Sequence, residues 1–373
     1  MNREITFSDE VRGKRMRKHS NRPESSRPEL KVILYGVGAI GSQIARLLLK
    51  KKGLKIVGAI DASPKKIGKD LGEVIGIEKP LGVIVSKEPE RLLSSVNIDV
   101  AIHATSSFLK DVYPQLIQLI EHRVNVISTC EELSYPYVTD PSLASNLDRL
   151  AKKHGVTVLG TGINPGFLMD TLPIALSGVC QEVKRIKVER VIDAAKRRLP
   201  FQKKIGAGLT LEEFKQMIEK KRITGHVGLE QSIAMIADAL GLELQRIEVE
   251  PVKPVLAEKP VESREIRVER GRVAGLMQSA HGLIDGEPFV TLTFKAYIGA
   301  EEEYDSIIIE GTPTVNQKIV PCVHGDLATA AVVVNSIPKV INATPGLKTM
   351  KDCLLYTSPS PRDLSTSRMP SSA

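Results

Sequence analysis

Residues 30–61 read LKVILYGVGAIGSQIARLLLKKKGLKIVGAID. An apolar, β-branched segment is followed by a glycine-rich turn, by a stretch with apolar residues at helical spacing, and by a second apolar segment that ends in an acid. Gly36 permits a tight turn, Gly38 lets the backbone approach a pyrophosphate, and Gly41 lets the helix pack closely on the strand. This order predicts the first β-α-β unit of a doubly wound parallel sheet that binds a dinucleotide.

The expected cofactor is NAD or NADP. The start of the helix predicted over residues 42–51 offers free N–H groups and the positive end of the helix dipole to the pyrophosphate, and Ala39 and Ile40 in the turn before it are also expected to contact the cofactor. Asp61 stands 25 positions after the first glycine (61 − 36) and can accept hydrogen bonds from the ribose hydroxyls, which favours NAD. Dual use is nevertheless plausible, because residues that can hold a 2′-phosphate follow directly: Ser63, Lys65 and Lys66.

A second strand end faces the predicted cofactor. The sequence VNIDVAIHATSS predicts a strand over residues 100–103, and Ala104, Thr105 and Ser106 follow it. This is the place where such a fold lines the nicotinamide side of its crevice.

Two adjacent carboxylates, Glu131 and Glu132, follow the next strand, in the sequence VISTCEELSYP. Ligands of open α/β sheets bind at the carboxyl ends of the strands, so this position predicts a general acid/base in the crevice. The structural alternative is a helix start, with Thr129 as N-cap and Glu132 as its capping-box partner. Both interpretations stay open, since one glutamate can cap while the other faces the substrate.

The second half of the chain predicts an α+β domain with an open, mainly antiparallel sheet, because apolar and polar residues alternate from about residue 183. A glycine-rich loop, GTGINPGFLMD, precedes it at the crevice edge. The basic residues Arg190, Arg197, Arg198 and Lys203 are candidates for contact with a substrate carboxylate. The residues expected to form the substrate pocket come from both regions: Tyr135, Asn164, Phe167, Met169, His226 and His281.

The predicted organisation has two domains. Residues 29–165 and 319–352 form a discontinuous Rossmann domain, and residues 166–318 form a substrate and dimerisation domain, which predicts a homodimer. Residues 1–28 read as a disordered extension. Residues 353–373, which begin CLLYTSPSPRD, resemble a translated sequencing adapter and point to a gene of metagenomic origin.

Composition argues against several other classes of protein. The net charge is +8, but the two ends contribute +3 and +1, so +4 remains for the central body (8 − 3 − 1), without the aromatic residues of a base-stacking surface. The four cysteines and seven histidines lack metal-ligand spacing, so no metal is expected. No apolar run has the length of a membrane span, and no signal core begins the chain, so we expect a cytoplasmic protein that binds neither nucleic acid nor membrane.

Seven motifs together resemble the 2,4-diaminopentanoate dehydrogenase family, in which native NAD(P)-dependent amine dehydrogenases are close relatives: GVGAIGSQIARLLL, IDASPKKIGKDLGEVIG, STCEELSYP, GTGINPGFLMD, RRLPFQKKIGAGLT, TGHVGLEQS and GDLATAAVVVNSIP. The family is related in fold to dihydrodipicolinate reductase, but the His-His-rich stretch and the Ser-Gly-Thr loop of that enzyme have no counterpart here. The resemblance implies a Rossmann domain joined to an α/β dimerisation domain.

The resemblance also implies the reaction, which is the reversible oxidative deamination of an amine or diamino acid. It implies that an acid of the CEEL motif is catalytic, which here means Glu131 or Glu132; Glu132 is slightly preferred for its proximity to Tyr135. Two alternatives remain. One is an imine or oxo-acid reductase on the same fold, and the other is an NAD(P)-binding regulatory protein that turns over nothing.

Overall fold

The structure is a computed structural model that describes residues 29–352. The predicted extension at 1–28 and the predicted adapter-derived tail at 353–373 lie outside the described residues. Within residues 29–352, two sheets of seven strands and one short two-stranded ribbon form, together with helices on the sheet faces. This confirms the predicted fold class of a doubly wound parallel sheet plus an α+β domain. Over the same range, no helix has both the length and the apolar character needed to cross a membrane.

The first part of the chain alternates strands and helices. In chain order its elements are β1 (Leu30–Tyr35), α1 (Ala39–Leu48), β2 (Leu54–Ile60), α2 (Leu71–Val74), β3 (Val85–Ser86), α3 (Pro89–Ser95), β4 (Val100–His103), α4 (Leu109–Glu121), β5 (Asn125–Ser128), α5 (Pro141–His154) and β6 (Thr157–Gly160). A 3₁₀ turn, Glu131–Ser134, lies between β5 and α5.

The second part builds the other sheet. Its elements are α6 (Thr171–Ser177), β7 (Glu182–Asp193), α7 (Leu199–Lys204), α8 (Leu211–Glu219), α9 (Leu229–Ala239), β8 (Arg246–Val249), β9 (Lys253–Leu256), β10 (Val261–Glu262), β11 (Arg267–Val268), β12 (Val273–Ile284), β13 (Glu287–Tyr297), β14 (Tyr304–Thr312) and β15 (Val315–Ile319). The strand order is β15-β14-β7-β13-β12-β8, with β9 also paired to β12. Only the β7–β13 pair in this described sheet is parallel, which matches the mainly antiparallel prediction.

The end of the described chain returns to the first sheet. Helix α10 (Gly325–Asn342) packs against α1, and strand β16 (Gly346–Lys348) pairs in parallel with β6. The first sheet therefore has the order β16-β6-β5-β4-β1-β2-β3. Helix α10 and β16 fall within the predicted segment 319–352, and β15 ends one residue past the predicted boundary at 318. The division into domains stays a prediction.

The parallel sheet is covered on both faces, which explains its nearly continuous apolar strands. On β1, Val32 and Leu34 pack with α1 and α10, while Ile33 and Tyr35 pack with α4 and α5. The carboxyl ends of β1, β4, β5 and β6 are thereby left open at one edge of the sheet. The loops that follow these strands form one wall of the candidate site.

Candidate active site

A cleft of about 440 Å³ lies at the carboxyl edge of the parallel sheet, between this sheet and the second one. The loops after β1, β4, β5 and β6 contribute to it, and so does the N-terminal turn of α10. The opposite wall comes from the second part of the chain: Arg190, Ile192, Arg197, Arg198, Phe201, Lys204, His226 and Phe294. The cleft is therefore assembled from segments that are far apart in the sequence.

The glycine-rich turn has the geometry expected of an anion cradle. Gly38 is the N-cap of α1 without a side-chain cap, and it lines the cleft together with Ala39 and Ile40. Gly36 has φ +99°, and a Cβ atom there would lie 2.3 Å from the carbonyl oxygen of Ala104. A Cβ atom on Gly41 would lie 2.1 Å from the carbonyl oxygen of Gly36. The uncapped N–H groups at the start of α1 suit a pyrophosphate.

Asp61 lies at the end of β2 and ties the turn to the following loop. Its carboxylate accepts hydrogen bonds from the backbone N–H groups of Val37 at 2.9 Å and Ser63 at 2.8 Å, and from Nζ of Lys66 at 2.9 Å. Burial favours a higher pKa for Asp61, but these hydrogen bonds outweigh it and lower the pKa. Lys65, the residue before Lys66, is exposed. The arrangement presents both an acid and two lysines near the expected ribose position.

Ala104, Thr105 and Ser106, which the sequence assigned to the nicotinamide side of a crevice, line the cleft together with Ser107. These residues follow β4 directly, and Gly36 packs against the backbone of Ala104.

The two adjacent glutamates have different environments. Glu131 lines the cleft and accepts a hydrogen bond from the Ser107 side chain. Burial raises the pKa of Glu131, although the positive charge of Lys204 opposes the increase. Oε2 of Glu132 instead accepts the backbone N–H of Leu109, the first residue of α4, at 2.6 Å. Glu132 therefore satisfies a free N–H at a helix N-terminus and interacts favourably with its dipole.

This geometry does not support the preference for Glu132. The 3₁₀ turn directs the side chains of Glu131 and Glu132 differently. Glu132, which is nearer to Tyr135 in the sequence, points away from the cleft and towards the start of α4. The predicted capping box is also wrong: the N-cap of the turn is Cys130 without a side-chain hydrogen bond, and Glu132 caps a different helix from the one expected.

Four predicted pocket residues lie outside the described lining of the cleft. The Tyr135 hydroxyl donates to Asp238 at 2.7 Å. His281 contacts Glu250 and Thr291 on the second sheet. Phe167 and Met169 pack into the apolar core, because the loop after β6 turns its hydrophobic side chains inward before α6 begins. The positions of these four residues in the sequence did not show where their side chains would point.

The other two predicted pocket residues, Asn164 and His226, both line the cleft and contact each other. Nδ2 of Asn164 donates to Nε2 of His226 at 2.7 Å, and the imidazole ring stacks on Phe294 with centroids 4.4 Å apart. Burial lowers the pKa of His226 to about 3, and the charges of Lys204 and Arg190 act in the same direction. His226 is therefore a neutral wall residue, not an acid.

The cleft has a cationic wall. Among its described lining residues, Arg190, Arg197, Arg198 and Lys204 are cations, while Glu131 and Asp326 are anions. Arg190 is also paired with Asp305 behind the cleft, at 3.0 Å. Counting Asp305, the cations still exceed the anions by one (4 − 3). Such a surplus suits a ligand that carries a negative charge.

Asp326, at the start of α10, is shared by two arginines. Nη2 of Arg197 lies 3.0 Å from one carboxylate oxygen, and Nε of Arg198 lies 3.4 Å from the other. Arg197 is only 8% exposed and its guanidinium also stacks over Phe201, so it is fixed in place. Arg198 is 46% exposed and its contact is longer, which leaves it free to turn towards a ligand.

Several cleft residues were not among the site residues expected from the sequence, because a motif does not show which of its side chains face the cleft. Lys204, Phe201 and Phe294 come from the second part of the chain, and Asp326 and Thr329 come from the first turn of α10. Lys203, which was predicted, is exposed and is not among the residues that line the cleft. No group of three or more His, Cys, Asp or Glu within residues 29–352 is placed to hold a metal ion.

Comparison with protein families gives two matches. Residues 30–130 match the model of the dihydrodipicolinate reductase N-terminus. Residues 167–361 match the model of the 2,4-diaminopentanoate dehydrogenase C-terminal domain. The first matched region contains β1 to β5 of the parallel sheet and the glycine-rich turn, and the second contains the residues of the cationic wall.

Individual relatives match over almost their full length. The chain is 37% identical to the 2,4-diaminopentanoate dehydrogenase of Acetoanaerobium sticklandii, over 87% of this chain and 93% of the relative. It is 24% identical to an amine dehydrogenase of Streptomyces virginiae, over 85% of this chain and 94% of the relative. The solved structure of the amine dehydrogenase from Mycobacterium smegmatis superposes with a TM-score of 0.76 at 29% identity, covering 88% of this chain and 98% of that one.

Proposed function

This chain belongs to the 2,4-diaminopentanoate dehydrogenase family and is an NAD(P)-dependent oxidoreductase acting on amines, and from that premise we propose that Glu131 is its acid–base residue and an amino-oxo acid its ketone substrate. The family is the one that the sequence motifs predicted. The observation that carries the proposal is the half-buried carboxyl group of Glu131, which faces the nicotinamide side of a cleft with a cationic opposite wall.

The cofactor-binding residues fit an NAD(P) molecule. The uncapped turn at Gly38, Ala39 and Ile40 would hold the pyrophosphate, and Asp61 would accept the ribose hydroxyls. Lys65 and Lys66 support use of NADP as well as NAD, because either can approach a 2′-phosphate. Bound there, the nicotinamide gives or takes a hydride, and the remaining steps fall to the protein.

Glu131 is suited to the proton transfers of reductive amination. Ammonium must lose a proton before its nitrogen can attack the ketone carbon, and an ionised Glu131 can accept that proton. The carbinolamine that results must lose its hydroxyl as water, and the protonated Glu131 can supply the proton for this step. An iminium cation remains, which the carboxylate stabilises until hydride transfer produces the amine. The raised pKa of Glu131 suits a group that both accepts and donates a proton.

The cationic wall supports a carboxylate on the substrate. The name of the Acetoanaerobium sticklandii relative implies that its substrate is a diamino acid. We therefore take 2-amino-4-oxopentanoate as the ketone for this chain, with its carboxylate directed to Arg198 and Lys204. Arg198 is the better candidate of the two arginines near Asp326, because Arg197 is buried and already fixed.

Replacing Arg198 by alanine is expected to raise KM for 2-amino-4-oxopentanoate by about 10- to 100-fold, since a charge-assisted hydrogen bond contributes about 1.5–3 kcal/mol. Turnover of pentan-2-one, which has the same chain length but no charge, is expected to stay unchanged. The matched control is Lys203→Ala, which removes a neighbouring exposed cation outside the cleft lining. Equal effects of Arg198→Ala on both ketones would argue against the carboxylate contact.

Ammonium dependence tests the reaction class. We expect oxidation of NADPH or NADH with 2-amino-4-oxopentanoate to require ammonium. Oxidation without ammonium would identify an oxo-acid or carbonyl reductase instead. Cofactor binding without turnover of any ketone or amine would favour a regulatory protein.

We also propose that the protein is a cytoplasmic homodimer. Cys130, Cys180 and Cys322, which are the cysteines of the described residues, are free, as expected of a reducing compartment. The long second sheet has exposed edge strands at β8 and β15, and a second copy is a natural cover for such a sheet. Sedimentation equilibrium is expected to give twice the mass of the chain, and a monomer at micromolar concentration would contradict the proposal.

A further inference from the structure

A buried histidine lies beneath the nicotinamide wall of the cleft. His103 is the last residue of β4, its side chain is inaccessible to solvent, and the ring of Tyr35 packs against it with centroids 5.4 Å apart. Burial lowers the pKa of His103 to about 4, so the imidazole is neutral at neutral pH. A neutral imidazole has one donor nitrogen and one acceptor nitrogen, and its neighbours decide which is which.

The neighbours of His103 fix its tautomer. Nε2 lies 2.7 Å from Oε1 of Gln115, and because a carboxamide oxygen only accepts, Nε2 carries the proton. Nδ1 is then the acceptor, and it lies 2.9 Å from Oγ of Ser128, whose hydroxyl donates to it. The same serine oxygen accepts the backbone N–H of Cys130 at 3.1 Å. Cys130 immediately precedes Glu131.

The other end of this hydrogen-bond chain reaches the cleft. The Thr105 hydroxyl donates to the same oxygen of Gln115 at 2.8 Å, and its own oxygen lies 3.1 Å from the protonated Nε2 of His103. Thr105 lines the cleft on the nicotinamide side. A continuous set of hydrogen bonds therefore joins the cofactor wall to the backbone that carries Glu131. His103 lies at the centre of this set of hydrogen bonds. The set connects the paired ends of β4 and β5, where His103 is opposite Ser128.

We propose that His103 is a positioning residue that sets the place of Glu131 relative to the nicotinamide wall. It acts on Glu131 through Ser128 and the Cys130 backbone, and on Thr105 both directly and through Gln115. This role rests on the proposed function of Glu131. We expect this positioning to affect kcat, because displacement of a reacting group by about 1 Å can lower a rate about 10²-fold.

Ser128→Ala tests the arm that leads to Glu131 while leaving His103 in place. We expect kcat for reductive amination to fall about tenfold or more, while KM for NADPH stays within about twofold of the wild-type value. We also expect a shift in the part of the pH–rate profile that reflects the ionisation of Glu131. Gln115→Leu removes the acceptor that His103 and Thr105 share and leaves only their direct contact, and it is expected to raise KM for NADPH more than it lowers kcat. The matched control is Ser336→Ala, a buried serine that donates within α10 to the carbonyl of Val332 at 2.7 Å.

Two substitutions test His103 itself. His103→Asn keeps an acceptor near the position of Nδ1, whereas His103→Leu has a similar shape and no polar atom. We expect the asparagine variant to retain at least about tenfold more kcat than the leucine variant, since it alone preserves the contact with Ser128. Equal rates for these two variants, at equal thermal stability, would overturn the proposed arm through Ser128.

A readout independent of turnover separates this inference from the proposed reaction. Cys130 is buried and its thiol donates to the carbonyl oxygen of Ser107 at 3.2 Å, so the wild-type thiol is expected to react slowly with iodoacetamide. Ser128→Ala should speed its alkylation, measured by mass spectrometry against Cys180 and Cys322 of the same molecule. Unchanged labelling together with an unmoved pH profile would overturn the inference. If the wild type lacked ammonium-dependent turnover, the proposed function would fail. The rate of Cys130 alkylation would then be the test of whether the hydrogen-bond network holds this backbone in place.

Discussion

Replacing Glu131 by glutamine is expected to lower kcat/KM for reductive amination by about 10²- to 10⁴-fold, the usual contribution of a positioned general acid/base. Glutamine keeps the size of the side chain but can neither accept the ammonium proton nor protonate the carbinolamine hydroxyl. The measurement is steady-state oxidation of the reduced cofactor with 2-amino-4-oxopentanoate and ammonium. Binding of NADPH, followed by fluorescence, should be nearly unchanged, because Glu131 is placed at the reacting end of the cleft.

Glu132→Gln is the matched control, since it makes the same chemical change at the adjacent residue. Its amide oxygen can still accept the backbone N–H of Leu109, but the charge at the start of α4 is lost. We expect activity within about tenfold of wild type and a loss of about 0.3–1 kcal/mol in the free energy of unfolding. An inactive Glu132→Gln beside an active Glu131→Gln would reverse the assignment.

Stability should respond to Glu131→Gln in the opposite direction from activity. The pKa of Glu131 is raised in the folded protein, so between its ordinary value and the raised value the native state binds more protons than the unfolded state. In that window the stability of the wild type falls as pH rises. Glu131→Gln lacks this decrease. The variant should therefore match the wild type at low pH and melt at a higher temperature above the raised pKa, and a lower melting temperature there would contradict the burial argument.

Gly41→Ala is expected to destabilise the protein by about 1–3 kcal/mol despite the better helix propensity of alanine. The new methyl carbon would lie 2.1 Å from the carbonyl oxygen of Gly36, so α1 must move away from β1. That movement also displaces the N–H groups that would hold the pyrophosphate. We expect a lower melting temperature and weaker binding of NADPH together.

Gly38→Ala separates cofactor binding from stability. Nothing lies within 4 Å of a methyl carbon at this position, and its φ of −72° is accessible to alanine. The melting temperature should therefore stay near that of the wild type, while Kd for NADPH rises about tenfold or more, because the methyl group lies where the pyrophosphate must approach the backbone. Unchanged cofactor affinity in Gly38→Ala would contradict the assignment of the glycine-rich turn.

The fold was largely predictable because its signals are local. The spacing of Gly36, Gly38 and Gly41 and the acid at Asp61 report one β-α-β unit, and the change from continuous to alternating apolar residues near residue 183 reports the second sheet. Such patterns depend on residues that are close in the sequence, so they can be recognised without knowledge of tertiary contacts.

The candidate site was only partly predictable, because side-chain direction depends on distant contacts. Glu131 and Glu132 differ by one position, and the distinction comes from Leu109, which lies 23 residues away in the sequence. Met169 turns into the core rather than towards the cleft. His103 had a weak signal, since a histidine at the end of an otherwise apolar strand needs buried hydrogen-bond partners, but those partners come from α4 and β5.

The most direct test of the central claim is whether the nitrogen of ammonium enters the product. Purified protein would be incubated with 2-amino-4-oxopentanoate, NADPH and ammonium labelled with nitrogen-15, and the product would be analysed by mass spectrometry beside the same reaction with Glu131→Gln. We predict a labelled 2,4-diamino acid, formed mole for mole with oxidised cofactor, and almost none from the variant. A hydroxy acid without label would contradict the account, as would equal yields of labelled product from both proteins.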